Sequence, residues 1–152
     1  MYRTKDARQL ELENFYLPFG GHLNQNNRWM QLSTLIPWEE FEKRYAEQFA
    51  PDEMGAPAKP FRMALGALLI KEKLGITDRE TVEQIRENPY LQLFIGLESY
   101  RDESPFDASM MVHFRKRITG EMLADINERI GEEQVKKNDK LKKKLKRKKK
   151  LR

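Results

Sequence analysis

A chain of 152 residues with 39% apolar residues, 35% charged residues and no cysteine is sized for one domain with a small core and a heavily solvated surface. The missing cysteines exclude disulfides and thiolate metal sites and fit a reducing compartment. The net charge of +5 divides unevenly: residues 135–152 hold twelve of the 29 Lys and Arg and one acid, for +11, which leaves −6 on residues 1–134.

In chain order, residues 1–36 read as loops with at most a short helix or extended piece, because Phe15 to Gly21 and Asn24 to Asn27 are turn punctuation. Pro37 stands where a first helical residue belongs. Trp38, Phe41, Tyr45 and Phe49 follow on one aromatic face. Ala50-Pro51 ends that helix, and residues 51–57 read as a loop. Pro60 opens a helix that is almost wholly apolar from Met63 to Ile70, the expected buried centre, and Gly75 stops it. Thr77-Asp-Arg-Glu80 is a capping box for the next helix, with Val82 and Ile85 inward. Asn88-Pro89 breaks it and starts a short helix, Tyr90 to Ile95, closed by Gly96. After a polar loop over 97–106, Asp107 reads as the N-cap of a helix over 108–118. Thr119-Gly120 interrupts, and Met122, Leu123, Ile126 and Ile130 define the last amphipathic helix.

No alternating strand pattern of useful length occurs. The expected fold is all-α, a compact bundle of about six helices with a helix-turn-helix-like segment. Its domain spans 1–134. The Lys-rich tail, 135–152, is expected to lie outside the fold, disordered or as a frayed helix. Leu141 and Leu145 keep helical spacing there but are too few to anchor it. No apolar run reaches the roughly 18 residues of a membrane span, and the N-terminus lacks an apolar signal region. A cytoplasmic protein is expected.

The helix over 108–118 carries the chemistry. Met111, Phe114 and Ile118 cluster on one side and point inward. The other side presents Ser109, His113 and Lys116, flanked by Val112 and Arg117, while Arg115 falls nearer the apolar side, where a buried or rim carboxylate can hold it. Such a face suits DNA reading, with N-terminal side chains at base edges and basic groups on phosphates. The bland alternative is an amphipathic helix with a solvated basic end. In the tail, Lys142, Lys143, Lys144, Lys146, Arg147, Lys148, Lys149 and Lys150 are expected to contact phosphates without sequence preference. Enzyme signals are thin. His22 and His113 are the only histidines and lie far apart, and no metal-ligand spacing or phosphate-loop glycine pattern occurs. No catalytic residue, metal ligand or cofactor is therefore assigned.

The order of three segments is more specific: Lys59-Pro-Phe-Arg-Met-Ala-Leu-Gly-Ala-Leu-Leu-Ile-Lys71, then Gly75-Ile-Thr-Asp-Arg-Glu80 running to Asn88-Pro-Tyr-Leu-Gln-Leu-Phe-Ile-Gly-Leu97, then Pro105-Phe-Asp-Ala-Ser-Met-Met-Val-His-Phe-Arg-Lys-Arg117. With Asn26-Asn-Arg-Trp-Met30 and Ile36-Pro-Trp38 upstream, the chain resembles, over about residues 10–134, the N-terminal domain of bacterial insertion-sequence transposases of the InsH type. The resemblance implies an all-α domain that helps recognise element ends. Its partners would be double-stranded DNA carrying inverted repeats and self or the intact transposase, near the nucleoid. In that family a separate RNase H-like domain bears an Asp-Asp-Glu metal triad, so a divalent metal belongs there and strand cleavage is not expected of this chain. The sequence leaves the family pattern after about Asn138. The lysine run there reads as a frameshifted or truncated end, since lysine codons are A-rich. The competing expectation is a protein-interaction or dimerisation module whose only DNA affinity is the non-specific affinity of the tail.

Overall fold

The computed structural model describes residues 15–49 and 58–151. The expected end of the aromatic helix at Ala50-Pro51 and the loop over 51–57 lie outside the described residues. Seven helices occur among the described residues: α1 (Arg28–Leu35), α2 (Trp38–Ala46), α3 (Phe61–Leu74), α4 (Asp78–Glu87), α5 (Pro89–Phe94), α6 (Met110–Arg117) and α7 (Gly120–Lys150). The fold is all-α, and among the described residues a single parallel bridge joins Tyr16 and Ser99.

α1 is the firm addition to the sequence reading. The Asn cluster read as turn punctuation is a cap: the Asn27 side chain accepts from the Trp29 N–H at 2.9 Å, which satisfies one of the orphan donors of a helix start. Trp29, Met30, Leu32 and Leu35 are buried. α2 begins at Trp38, with Pro37 one position before the helix rather than inside it. Its first turn carries Glu39 and Glu40 and its last Lys43 and Arg44, the order that complements the helix dipole. The aromatic stripe is core: Phe41 and Tyr45 are buried, and Trp38 and Phe49 pack against the cluster half-buried.

α3 is the centre. Nine of its fourteen residues are buried, and α2, α4, α5 and α6 all pack on it. Gly75 ends it at φ 62°, with its N–H bonded to Lys71 O at 2.8 Å, the left-handed stop expected of glycine. At the start of α4 the Thr77 hydroxyl accepts from the Glu80 N–H at 3.1 Å. The Glu80 carboxylate accepts from the Gln84 amide at 3.0 Å, an i,i+4 pair along the helix. Asn88 ends α4 and caps α5, accepting from the Tyr90 N–H at 2.9 Å.

The last carbonyls of α5 are taken by Arg62, whose guanidinium donates to Phe94 O at 3.0 Å and Leu93 O at 3.1 Å and lies 4.6 Å from the Trp38 ring. Burial pushes its pKa down to about 10, so it stays charged at neutral pH. Its positive charge sits at the negative end of a helix and on an aromatic face, both of which favour a cation.

Asp107 does not cap α6 directly. It accepts from the Ser109 N–H at 2.9 Å and its carbonyl from Met110 N at 2.9 Å. This makes a short polar turn, and the helix starts at Met110, two residues later than the sequence spacing predicts. α7 runs to Lys150 without a break. Its packed part ends near Ile130, and all side chains over 134–150 are exposed.

Candidate nucleic-acid interface

α6 is held by Met111, Phe114 and Ile118, each at most 2% exposed. Phe114 meets Phe106 edge-on at 5.1 Å, so the preceding loop and the helix share one core contact. α6 packs chiefly on α3, while α5 packs on α1, α3 and α4. The start of α4 reaches α6 through charge: Arg115 donates to both oxygens of Asp78, at 2.8 and 2.9 Å. The sequence reading that a rim carboxylate holds Arg115 finds its partner in Asp78.

The opposite side of α6 lies as the helical spacing predicts. Ser109, Val112, His113 and Lys116 are exposed, Val112 at 44%, a large apolar side chain left open on a polar face. Arg117 differs. It is half-buried, its guanidinium carbon stands 3.8 Å from the centre of the Phe49 ring, and its carbonyl accepts from the Gln48 amide at 2.8 Å. The end of α2 thus holds Arg117. Burial raises the pKa of the neighbouring Tyr45 phenol, and the Arg117 charge offsets part of that.

One cation was missed in the sequence. Arg79 is exposed in the first turn of α4. Its charge adds to the two Ser109 hydrogen bonds that hold the Asp107 carboxyl below its ordinary range. The Arg79 charge is thus within electrostatic range of Asp107. Its motif neighbours gave no such signal, because the capping box explains Thr77, Asp78 and Glu80 and leaves Arg79 on a generic polar face. Only the tertiary fold brings its charge within range of Asp107.

The eight cations Lys142, Lys143, Lys144, Lys146, Arg147, Lys148, Lys149 and Lys150 all lie exposed on the free length of α7. Val135, Leu141 and Leu145 are more than half exposed. The root of this arm is fixed to α2 by Arg44–Asp125 at 3.1 Å and Arg129–Glu40 at 2.6 Å. His22 and His113 are both exposed. Among the described residues no group of three or more His, Asp or Glu is placed to hold a metal ion, and no helix is long and apolar enough to cross a membrane.

The Arg115 guanidinium and the Lys71 ammonium hold the Asp78 carboxyl below its ordinary range, Arg115 contributing most. A depressed carboxylate adds stability above its unfolded pKa, about 3.9, and loses it as pH falls through the lower folded value. The α4–α6 tie is therefore complete at neutral pH and fails in acid. Acid titration of wild type and Asp78→Asn by thermal melting should show the difference in stability shrinking below about pH 4.

The family described as "Transposase domain (DUF772)" matches residues 18–117, which take in α1 to α6. An "Uncharacterized protein ORF8 in nfe locus" of Rhizobium meliloti is 35% identical over 104 residues, 68% of this chain and 49% of the relative. The chain thus spans about half the length of the curated relative it matches. No solved structure matches it. With the family covering well over half of the sequence and all of α1 to α6, the chain belongs to the DUF772 transposase-domain family.

Proposed function

We propose that this domain binds duplex DNA at the ends of a mobile element, with α6 in the major groove and the basic arm on the phosphate backbone. The observation that carries the reading is the face of α6, which leaves Ser109, Val112, His113 and Lys116 exposed on a helix fixed by three buried side chains, in a domain of a transposase family. A major groove about 12 Å wide admits such a helix. Ser109 and His113 offer hydrogen-bonding groups to base edges, and Val112 offers an apolar contact to a thymine methyl. Lys116 and Arg79, both exposed, would take phosphates, and Arg117, held on Phe49, would be the flank contact. The α4–α5 pair and α6 then act as a helix-turn-helix-like unit with α3 as its brace. The eight arm cations supply sequence-independent affinity through counterion release. The element-end complex would include a second copy or the intact transposase.

A protein-interaction module with only arm-borne DNA affinity is the second reading. It is favoured by the engagement of Arg115 and Arg117 inside the protein. Binding of the full chain to an inverted-repeat end and to random duplex, across a salt series, separates the two. Lys116→Ala is expected to flatten the log–log salt slope by about 0.9 on both duplexes. Val112→Ala with His113→Ala should lower the preference for the element end by about 1–3 kcal/mol. Replacing the eight arm cations by Gln should reduce affinity for both duplexes and keep the preference. If the same replacement abolishes all binding while the α6 changes have no effect, α6 does not read DNA.

A further inference from the structure

Three charged groups converge beside α6. Asp78 Oδ1 is 3.3 Å from the Lys71 ammonium and 2.8 Å from Arg115 Nη1, and Asp78 Oδ2 is 2.9 Å from Arg115 Nη2. The carboxylate thus has two cations on it, one of them a two-pronged fork. Yet the cluster is open to solvent: the side chains of Asp78, Lys71 and Arg115 are 28%, 33% and 43% exposed. A groove of about 550 Å³ opens against it, with Lys71, Arg115 and the acid Glu72 on its wall, an otherwise apolar lining, and Gly75 and Gly120 adding no side chain.

An Arg fork takes a carboxylate and a phosphate with the same two-bond geometry. Arg115 adjoins Lys116 in sequence and stands one turn from Val112 on the helix surface, and both of these are exposed. Arg115 is turned about 100° from Lys116 around the helix, so a phosphate strand that passes Lys116 and follows the edge of the helix comes to the Arg115 fork. The helix does not need Asp78 as its cap, since Thr77 already fills that place.

We propose that Lys71 and Arg115 form a phosphate-backbone site that Asp78 keeps occupied, in the free protein and in the wild-type complex alike, so that Asp78 holds down DNA affinity. This rests on the DNA reading of α6. The one carboxylate bonds to both cations and cancels one of their two charges, and the backbone gains the pair only when that carboxylate is gone. Asp78→Asn removes the competing charge and leaves the helix start and the two cations in place.

The test is duplex binding by the full chain between about 50 and 200 mM salt, with folding checked by circular dichroism. Asp78→Asn should steepen the salt slope by about one to two contacts, so its affinity falls about three- to tenfold further than that of wild type over this range. Arg115→Gln should leave the wild-type slope unchanged and remove about half of the gain in the Asp78→Asn background. Comparing chains that all carry the arm cancels its contribution. An unchanged slope in a folded Asp78→Asn chain overturns the proposal. So does a flatter slope for Arg115→Gln in the wild-type background, a readout that stands even where Asp78→Asn does not fold. Lys116→Ala separates this from the underlying reading. If it flattens the slope while Asp78→Asn does nothing, only the Asp78 site fails; if it too does nothing, the α6 reading fails and the Asp78 site with it. Inorganic phosphate at constant ionic strength probes the free anion. If it raises the melting temperature of Asp78→Asn while the duplex slope stays that of wild type, the site belongs to a free anion and not to DNA.

Discussion

Gln92→Leu is expected to cost about 3–5 kcal/mol, from several buried polar groups losing their partners at about 1–3 kcal/mol each. Gln92 is fully buried. Its amide nitrogen donates to Ile85 O at 3.1 Å, Arg86 O at 3.1 Å and Arg101 O at 2.8 Å, and its carbonyl accepts from Arg101 N at 2.9 Å. One side chain therefore bonds two carbonyls in the last turn of α4 and both backbone groups of Arg101 in the loop that leads to α6. Leu matches the volume and supplies none of these bonds. Single domains have total stabilities of about 5–15 kcal/mol, so the loss should lower the melting temperature by about 10 °C or more, read by thermal circular dichroism. A loss under about 1 kcal/mol would mean that water reaches these carbonyls and that the hub is not closed.

The effect should travel to function through a short path. Arg101 fixes the loop, Phe106 at 5% exposure plugs it into the core, and Phe106 meets Phe114 of α6 at 5.1 Å. A loosened loop leaves α6 held by α3 but no longer oriented at its start. DNA affinity of Gln92→Leu should therefore fall at temperatures where the protein is still folded.

The same residue marks where sequence reading stops. Gln92 sits between Leu91 and Leu93 in a short apolar helix, and nothing in its spacing tells a buried hub from a solvated amide. What was legible was local or periodic. The Gly75 stop, the Thr77 cap, the aromatic face of α2 and the buried run of α3 each depend on chemistry within about one or two helical turns. The inward and outward faces of α6 followed from the 100° spacing, and with them the exposed Ser109, Val112, His113 and Lys116. The tertiary pairings were not legible: Arg117 on Phe49, Arg79 beside Asp107, and Lys71 with Arg115 on one carboxylate join residues far apart in the chain. The short helix allowed for within residues 1–36 could not be placed, for a different reason. Its cap is an Asn in a run of Asn and Gln, and the same residues that cap a helix also make turns.

Gly66→Ala should destabilise the fold, although the exchange normally favours a helix interior by about 1 kcal/mol. Gly66 lies in the middle of α3, where the end of α5 comes closest. A Cβ built there falls 2.9 Å from Ile95 Cγ2 and 3.3 Å from Ile95 Cα. The Cγ2 of a β-branched side chain cannot swing aside without changing rotamer, and Ile95 is 1% exposed, so α3 and α5 must part. Overpacking of this kind costs about 1–3 kcal/mol, enough to reverse the propensity gain, and Gly66→Val, with two further methyls, should reach or exceed the upper end. The cycle with Ile95→Ala isolates the cause. Ile95→Ala alone should cost about 2–5 kcal/mol as a cavity, but it also deletes the Cγ2 that the methyl added by Gly66→Ala would meet, and that methyl then fills part of the space. The double variant should be more stable than the sum of the singles predicts by at least about 1 kcal/mol. Additivity within about 0.5 kcal/mol would mean that the helices adjust freely and that contact with Ile95 is not what keeps this position a glycine.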